Sequence, residues 1–174
     1  MQNKVLISSE AMSVSEIDAL RERVATARTQ MDRLPATGPG IVGAPDPQTG
    51  ERWNGSNVLG HLAEALAFWT GQARAVLAGA TETGRGKPGY ARRRKGIDAG
   101  TFLSEPELRS RTAAAVDGVM DLLSGMEDSD LDREILYRAR SGERKMRLKD
   151  FVEELLVAHL EQHMRQLSEL SSGG

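Results

Sequence analysis

The three histidines of the chain are the residues whose type and spacing could do chemistry. His159 and His163 are four residues apart, so on a helix they lie on one face with their Cβ atoms about 5–6 Å apart. Two imidazoles at this spacing can chelate one divalent metal ion. His61, as a third ligand from another helix, would leave the ion an open coordination position, as in catalytic metal sites. The sequence therefore predicts one metal site made of His61, His159 and His163.

Other uses of these side chains stay open at this point. A lone histidine such as His61 is usually packed or solvated, and the His159–His163 pair can also stack, bind a carbonyl or bind a carboxylate of a neighbouring helix. The position of the pair favours a metal, because both residues stand where the apolar stripe of the helix has leucine elsewhere. Two buried imidazoles without partners would each cost about 1–3 kcal/mol, and a metal removes that cost.

Composition restricts the ligands and the partners. The chain has no cysteine, so a metal must be held by histidine and carboxylate, and the protein has no thiol nucleophile of its own. Its net charge of −2 gives no general reason to expect nucleic acid or an acidic membrane as a partner. Aromatic residues make up only 4%, while Leu, Ala, Val and Met are plentiful, which favours helices packed on helices.

Four apolar stripes with helical periodicity predict an all-α fold, a four-helix bundle with long connecting loops. The first helix is predicted to begin at a capping box at Ser13 and to end at Pro35. The second is predicted over about 55–78, with Trp53 packing at its start. The third begins at the capping box of Ser104, and the fourth runs from about Lys149 to Leu170.

The connections are predicted as loops. Segments 38–47 and 79–100 lack periodicity, and 134–148 alternates weakly, as in a short hairpin or an extended connection. The whole chain, 1–174, is predicted to be one domain with disordered tails at 1–12 and 171–174. The apolar run Val5–Ile7 is too short for a signal peptide, and no segment has the roughly 20 apolar residues of a membrane span. We therefore expect a cytoplasmic protein without membrane contact.

Six basic residues cluster in the predicted loop 85–95, which we interpret as a flexible, solvated loop. As functional alternatives, it could attract an anionic thiol or substrate, or contact a nucleic-acid backbone. Tyr90 is its one aromatic residue, so the aromatic interleaving typical of single-strand binding is missing, and nucleic acid is not the expected partner. The cluster consists of Arg85, Lys87, Arg92, Arg93, Arg94 and Lys95.

Two segments resemble the DinB/YfiT-like superfamily. Trp53 with the segment 58–62 (VLGHL) is similar to the start of that family's second helix. The segment 148–167, in which a His-x-x-x-His pair is followed by Gln-Leu, is similar to its last helix. The resemblance implies an up-and-down four-helix bundle with a crossover, a divalent metal held by His61, His159 and His163, and a homodimer.

The same resemblance implies a function. Characterised relatives include thiol S-transferases that use bacillithiol or mycothiol, and the mycothiol-dependent maleylpyruvate isomerase. The isomerase typically has a carboxylate where His159 stands and a second domain that this chain lacks. We therefore expect a metal-dependent transferase that joins a low-molecular-weight thiol to a small electrophilic substrate. The ion is expected to be Zn, Ni, Mn or Fe, since three imidazoles accept each of them.

One further residue is a candidate for catalysis. Glu64 lies one turn after His61, where it could orient an imidazole or accept a proton. The alternatives are a hydrolase or isomerase with the same fold, in which the metal activates water, and a stress-response or binding module without catalysis.

Overall fold

Helices make up most of the structure, a computed structural model that describes residues 15–37, 40–45 and 50–172. Long amphipathic helices surround the core, and a short sheet closes one end of it. The helices are α1 (Glu16–Arg33), α2 (Gly55–Leu77), α3 (Gly86–Ala99), α4 (Glu105–Ser124), α5 (Leu148–Val152) and α6 (Ala158–Ser172). A π-helical turn, Glu153–Val157, joins α5 to α6, so that the two continue as one long helix.

Short polar side chains start the helices by accepting hydrogen bonds from backbone N–H groups that have no partner within the helix. Ser15 caps α1; the predicted cap, Ser13, lies outside the described residues. Asn54 and Asn57 form a reciprocal capping box at the start of α2. Ser104 caps α4, with a proline in its first turn, as the sequence predicted.

The predicted apolar stripes form the core. Helix α1 contacts α4 and α6, and α2 contacts the same two helices, so each stripe faces two neighbours. Trp53 is buried just before α2, as expected. The largest fully buried side chains are Phe151, Met31, Leu59, Leu62, Leu66, Leu108, Leu123, Leu131, Leu148, Leu156, Leu160 and Met164.

The prediction of a loop over 79–100 was wrong. This segment contains strand β1 (Glu82–Gly84) and helix α3, which packs along α2. Glycines make this contact possible: a Cβ added at Gly60 would collide with the carbonyl oxygen of Gly96, and one added at Gly96 would lie 2.6 Å from Cβ of Glu64. The backbones of α2 and α3 therefore approach more closely than two side-chain-bearing helices could.

The prediction of an all-α fold was also wrong in part. Strand β2 (Glu134–Ala139) pairs in antiparallel fashion with β3 (Gly142–Arg147), so of the two predicted alternatives the segment forms the hairpin, and β1 adds to β2 in parallel. The predicted alternation was weak because only Ile135 and Met146 of this hairpin are buried. A mostly helical fold with a small mixed sheet replaces the purely helical one.

The chain ends fall partly outside the described residues. Helix α6 continues through Ser172, two residues into the predicted disordered tail of 171–174. Residues 1–12 and 173–174 are not among those described. None of the described helices combines the length and the apolar character that crossing a membrane requires.

Candidate metal centre

The three histidines meet between α2 and α6. His61 lies on α2, and His159 and His163 lie one turn apart on α6. The ring centres are 5.2 Å apart for His61 and His159, 5.0 Å for His61 and His163, and 4.6 Å for His159 and His163. Each ring offers one nitrogen, and these nitrogens all lie within 4.8 Å of one another. We call this group the histidine cluster.

A π turn sets which side chains of the last helix face inward. It inserts an extra residue just before His159, and the stripe beyond it is rotated relative to a straight α-helix. The sequence pattern placed Leu155 and His159 in that stripe, whereas the structure leaves both only partly buried and buries Val157 and Leu160. Such turns occur often at functional sites, and here the turn determines how His159 approaches His61.

Desolvation favours the neutral form of the His61 and His159 rings. Desolvation, followed by the electrostatic effect of His163, lowers the pKa of His159 to about 3. The pKa of His61 is lowered too, first by burial and then by His159 and His163. At neutral pH these rings therefore carry a free lone pair on one nitrogen, which is the form that binds a metal.

The spacing of the nitrogens fits one small cation. Bonds of about 2.0–2.1 Å at tetrahedral angles place two zinc-bound nitrogens about 3.3 Å apart. Nε2 of His61 and Nε2 of His159 are 3.1 Å apart, and the ligand nitrogen of His163 lies within 4.8 Å of those of the other two. The donor set of three neutral imidazoles without a thiolate suits Zn, Ni, Fe or Mn.

Gln166 and Trp53 complete the surroundings of the cluster. Nδ1 of His163 donates to Oε1 of Gln166 at 2.8 Å, which leaves Nε2 of His163 as the nitrogen with the lone pair. The Trp53 ring lies 4.9 Å from the ring of His61 and 6.0 Å from that of His163, between centroids. Sequence reasoning gave neither residue a role at the metal, although Gln166 stands in the His-x-x-x-His…Gln-Leu pattern.

Glu64 does not contact a histidine through a direct hydrogen bond. Its Oε1 accepts from Nη1 of Arg85 at 2.9 Å, and Oε2 has no partner among the described residues. Arg85 is itself buried, with its guanidinium 4.3 Å from the ring centre of Phe68 and 5.0 Å from that of Trp69. One of the six basic residues is therefore an internal structural cation.

The other basic residues lie on helix α3 and not on a flexible loop. Arg94 pairs with Glu51 at 2.6 Å, and Arg93 lies over the Trp53 ring at 5.4 Å. Because Trp53 also contacts His61, the Trp53 indole lies between Arg93 of α3 and the histidine cluster. The prediction of a loop over 85–95 was wrong.

One cleft of the described surface reaches the cluster at His163. It has a volume of about 240 Å³ and a largely polar lining of Ala44, Pro45, Glu51, Trp53, Gln162, His163, Arg165, Gln166 and Glu169. A larger groove of about 590 Å³ between α2, α3 and α4 includes Glu64 but no histidine. Of these two clefts, only the smaller is lined by a histidine.

Comparison with known proteins gives one match. The family model described as the DinB superfamily matches residues 17–167, which is most of the chain and includes all three histidines. No curated protein and no solved structure gave a match.

Proposed function

We propose that this chain, which belongs to the DinB superfamily, binds one divalent metal ion through His61, His159 and His163. The observation that carries the proposal is the convergence of three ring nitrogens, one from each histidine, within 4.8 Å of one another. Two further features support it: desolvation keeps the rings of His61 and His159 neutral at pH 7, and Gln166 fixes the tautomer of His163. Zn, Ni, Mn and Fe are the candidate ions.

We further propose that the site serves a transferase that joins a low-molecular-weight thiol to an electrophile. The sulfur would form a bond to an electrophilic carbon, the leaving group would depart with its bonding electrons, and the thiol proton would pass to solvent. A bound divalent ion would supply Lewis acidity, which lowers the pKa of a thiol at the open position. The thiol must come from a cosubstrate, since the chain has no cysteine.

The residues of this chain would have distinct parts in that reaction. The histidines would hold the ion on one side and leave the cleft side to the thiol, and Trp53 would shield His61 from water. The polar cleft next to His163 would admit a small, hydrophilic cosubstrate. A homodimer remains a prediction of the family resemblance.

Metal content tests the first part of the proposal. We expect protein purified without added metal to carry close to one divalent ion per chain by elemental analysis, and His159→Ala to lose it. Ser168→Ala, a small change on the same helix α6, should keep the wild-type content and serves as the matched control. Wild-type protein that stays free of metal after incubation with Zn²⁺, Ni²⁺, Mn²⁺ and Fe²⁺ would contradict the proposal.

A conjugation assay tests the second part. Metal-loaded protein is incubated with a panel of small thiols and a chromogenic aryl halide, and the thioether product is measured by absorbance. We expect product formation with at least one thiol that disappears in His159→Ala and on addition of a chelator. Hydrolysis of ester or amide substrates without thiol transfer would favour the hydrolase instead, and metal binding with neither reaction would favour a non-catalytic module.

A further inference from the structure

Three buried polar atoms of helix α2 have no hydrogen-bond partner among the described residues. Oγ1 of Thr70 stands apart, and the other two are Nδ1 of His61 and Oε2 of Glu64. Buried polar atoms of folded proteins have partners in the great majority of cases, so each exception needs an explanation. The two atoms are complementary, because a ring nitrogen can donate a proton and a carboxylate oxygen can accept one.

The helix brings these two side chains to one face. His61 and Glu64 are three residues apart in α2, and residues at that spacing are neighbours on a helix surface. Nε2 of His61 is the nitrogen that faces the cluster, 3.1 Å from Nε2 of His159. Nδ1 is therefore the nitrogen left for a partner outside the cluster.

Arg85 holds the carboxylate of Glu64 in place. The side chains of this ion pair are only 5% and 11% exposed, for Arg85 and Glu64 respectively. Nη1 of Arg85 also donates to the carbonyl oxygen of Gly89 at 3.0 Å, and Phe68 and Trp69 enclose the guanidinium. A buried ion pair adds little net stability compared with apolar residues, so stability alone does not account for it. It leaves one carboxylate oxygen of Glu64 bound to Arg85 and the other without a partner among the described residues.

We propose that Glu64 is a positioning residue for His61: its Oε2 accepts a hydrogen bond from Nδ1–H, directly or through one water molecule, when Nε2 binds the metal. This inference rests on the proposed metal site. The hydrogen bond selects the tautomer with its lone pair on Nε2, fixes the ring and raises its basicity. Gln166 selects the same tautomer of His163, so His61 would have a carboxylate partner where His163 has an amide partner. Of the two roles predicted for Glu64, orienting an imidazole is the one that this arrangement favours.

Zinc affinity tests the proposal in the full chain, measured by competition with a chromogenic chelator. We expect the Kd for Zn²⁺ to rise about 10–100-fold in Glu64→Ala, the usual effect of removing such a partner. Glu64→Gln keeps an acceptor oxygen and should recover part of the loss. Glu105→Ala is the matched control, because Glu105 also pairs with an arginine, Arg109, at a partly buried position on α4. Its Kd should equal that of the wild type.

A double variant distinguishes a loss of zinc affinity caused by the missing carboxylate from one caused by a folding defect. Glu64→Met/Arg85→Met replaces the whole ion pair by apolar side chains, a change that folded proteins often accept without loss of stability. Its Kd should also rise about 10–100-fold. Loss of Arg85 alone cannot explain such a rise, since removing a nearby cation favours the binding of another cation.

A spectroscopic measurement separates positioning from a merely structural role. In Co²⁺-loaded protein, the ring N–H protons of ligand histidines give shifted, exchangeable proton NMR signals. We expect the His61 signal of the wild type to exchange slowly with water and to exchange quickly or vanish in the double variant. An unchanged signal, or a Kd within twofold of the wild type in the folded double variant, overturns the inference while the metal site stands. Wild-type protein that binds neither Zn²⁺ nor Co²⁺ overturns both.

Discussion

Trp53 lies close enough to the histidine cluster for its fluorescence to report the binding of a metal ion there. Its ring lies within 4.9 Å and 6.0 Å of the rings of His61 and His163, between centroids. The other tryptophan of the chain, Trp69, packs among Phe68, Tyr137 and Phe151 instead. A paramagnetic ion bound by the histidines would therefore quench the emission of Trp53 more strongly than that of Trp69.

Tryptophan fluorescence can test the location of the metal without any assay of activity. We expect Ni²⁺ or Cu²⁺ to quench the emission of the wild type and of Trp69→Phe, and to leave that of Trp53→Phe almost unchanged. Titration at 295 nm excitation measures this directly. Equal quenching in the two variants would mean that the ion binds at some other place, and His159→Ala should remove the quenching in Trp69→Phe.

Residue types predicted which histidines the structure brings together but not the hydrogen-bond partners around them. His61, His159 and His163 could be found because all three stand on or beside apolar stripes and the chain has no further histidine. The partner of Glu64 could not be predicted. Arg85 is 21 residues away in sequence, and it lies in a segment that was predicted to be a solvated loop. Hydrogen-bond partners across elements depend on packing, which a periodicity pattern does not contain.

The close packing of helices α2 and α3 depends on glycines at their contact. A side chain at Gly60 would collide with the carbonyl oxygen of Gly96, and overpacking of this kind typically costs about 1–3 kcal/mol. We expect Gly60→Ala to lower the free energy of unfolding by about that amount, measured by urea denaturation followed by circular dichroism.

Gly71 supplies the matched control on the same helix. A Cβ at Gly71 would meet nothing within 4 Å, so Gly71→Ala should raise the stability of α2 by about 0.5–1 kcal/mol through helix propensity alone. If both variants shifted the urea midpoint in the same direction, close packing of α2 on α3 would not be the reason for the glycine at position 60.

The helices that were predicted from the sequence are those that carry their own apolar stripe. Helices α1, α2 and α4 and the last helix each have such a stripe, and their predicted bounds agree with the structure to within a few residues wherever the structure describes them. Helix α3 has only Gly89 and Ile97 buried, so its pattern resembled a loop, and packing on α2 stabilises it. The π turn was also missed, because an inserted residue leaves no mark in composition.

The histidine cluster connects distant parts of the chain. His61 comes from α2, while His159 and His163 lie about a hundred residues later on α6. An ion bound by all three would join two helices that otherwise meet through apolar packing, and it would do so only in the folded state. Metal binding and global folding are therefore expected to be coupled.

This coupling predicts that zinc stabilises the whole molecule. A ligand that binds only the folded state stabilises it by RT ln(1 + [L]/Kd), about 2.7 kcal/mol when the free ligand is 100 times its Kd. We expect free Zn²⁺ at that level to raise the free energy of unfolding of the wild type by somewhat less, because histidines of the unfolded chain also bind zinc. Thermal unfolding of apo and zinc-loaded protein measures the effect, and His159→Ala should not respond to zinc.

Since His61 and the α6 pair must both be in place, His61→Ala should abolish the response as well. A response that survived in His61→Ala would show that zinc binds the α6 pair alone and does not join the two helices.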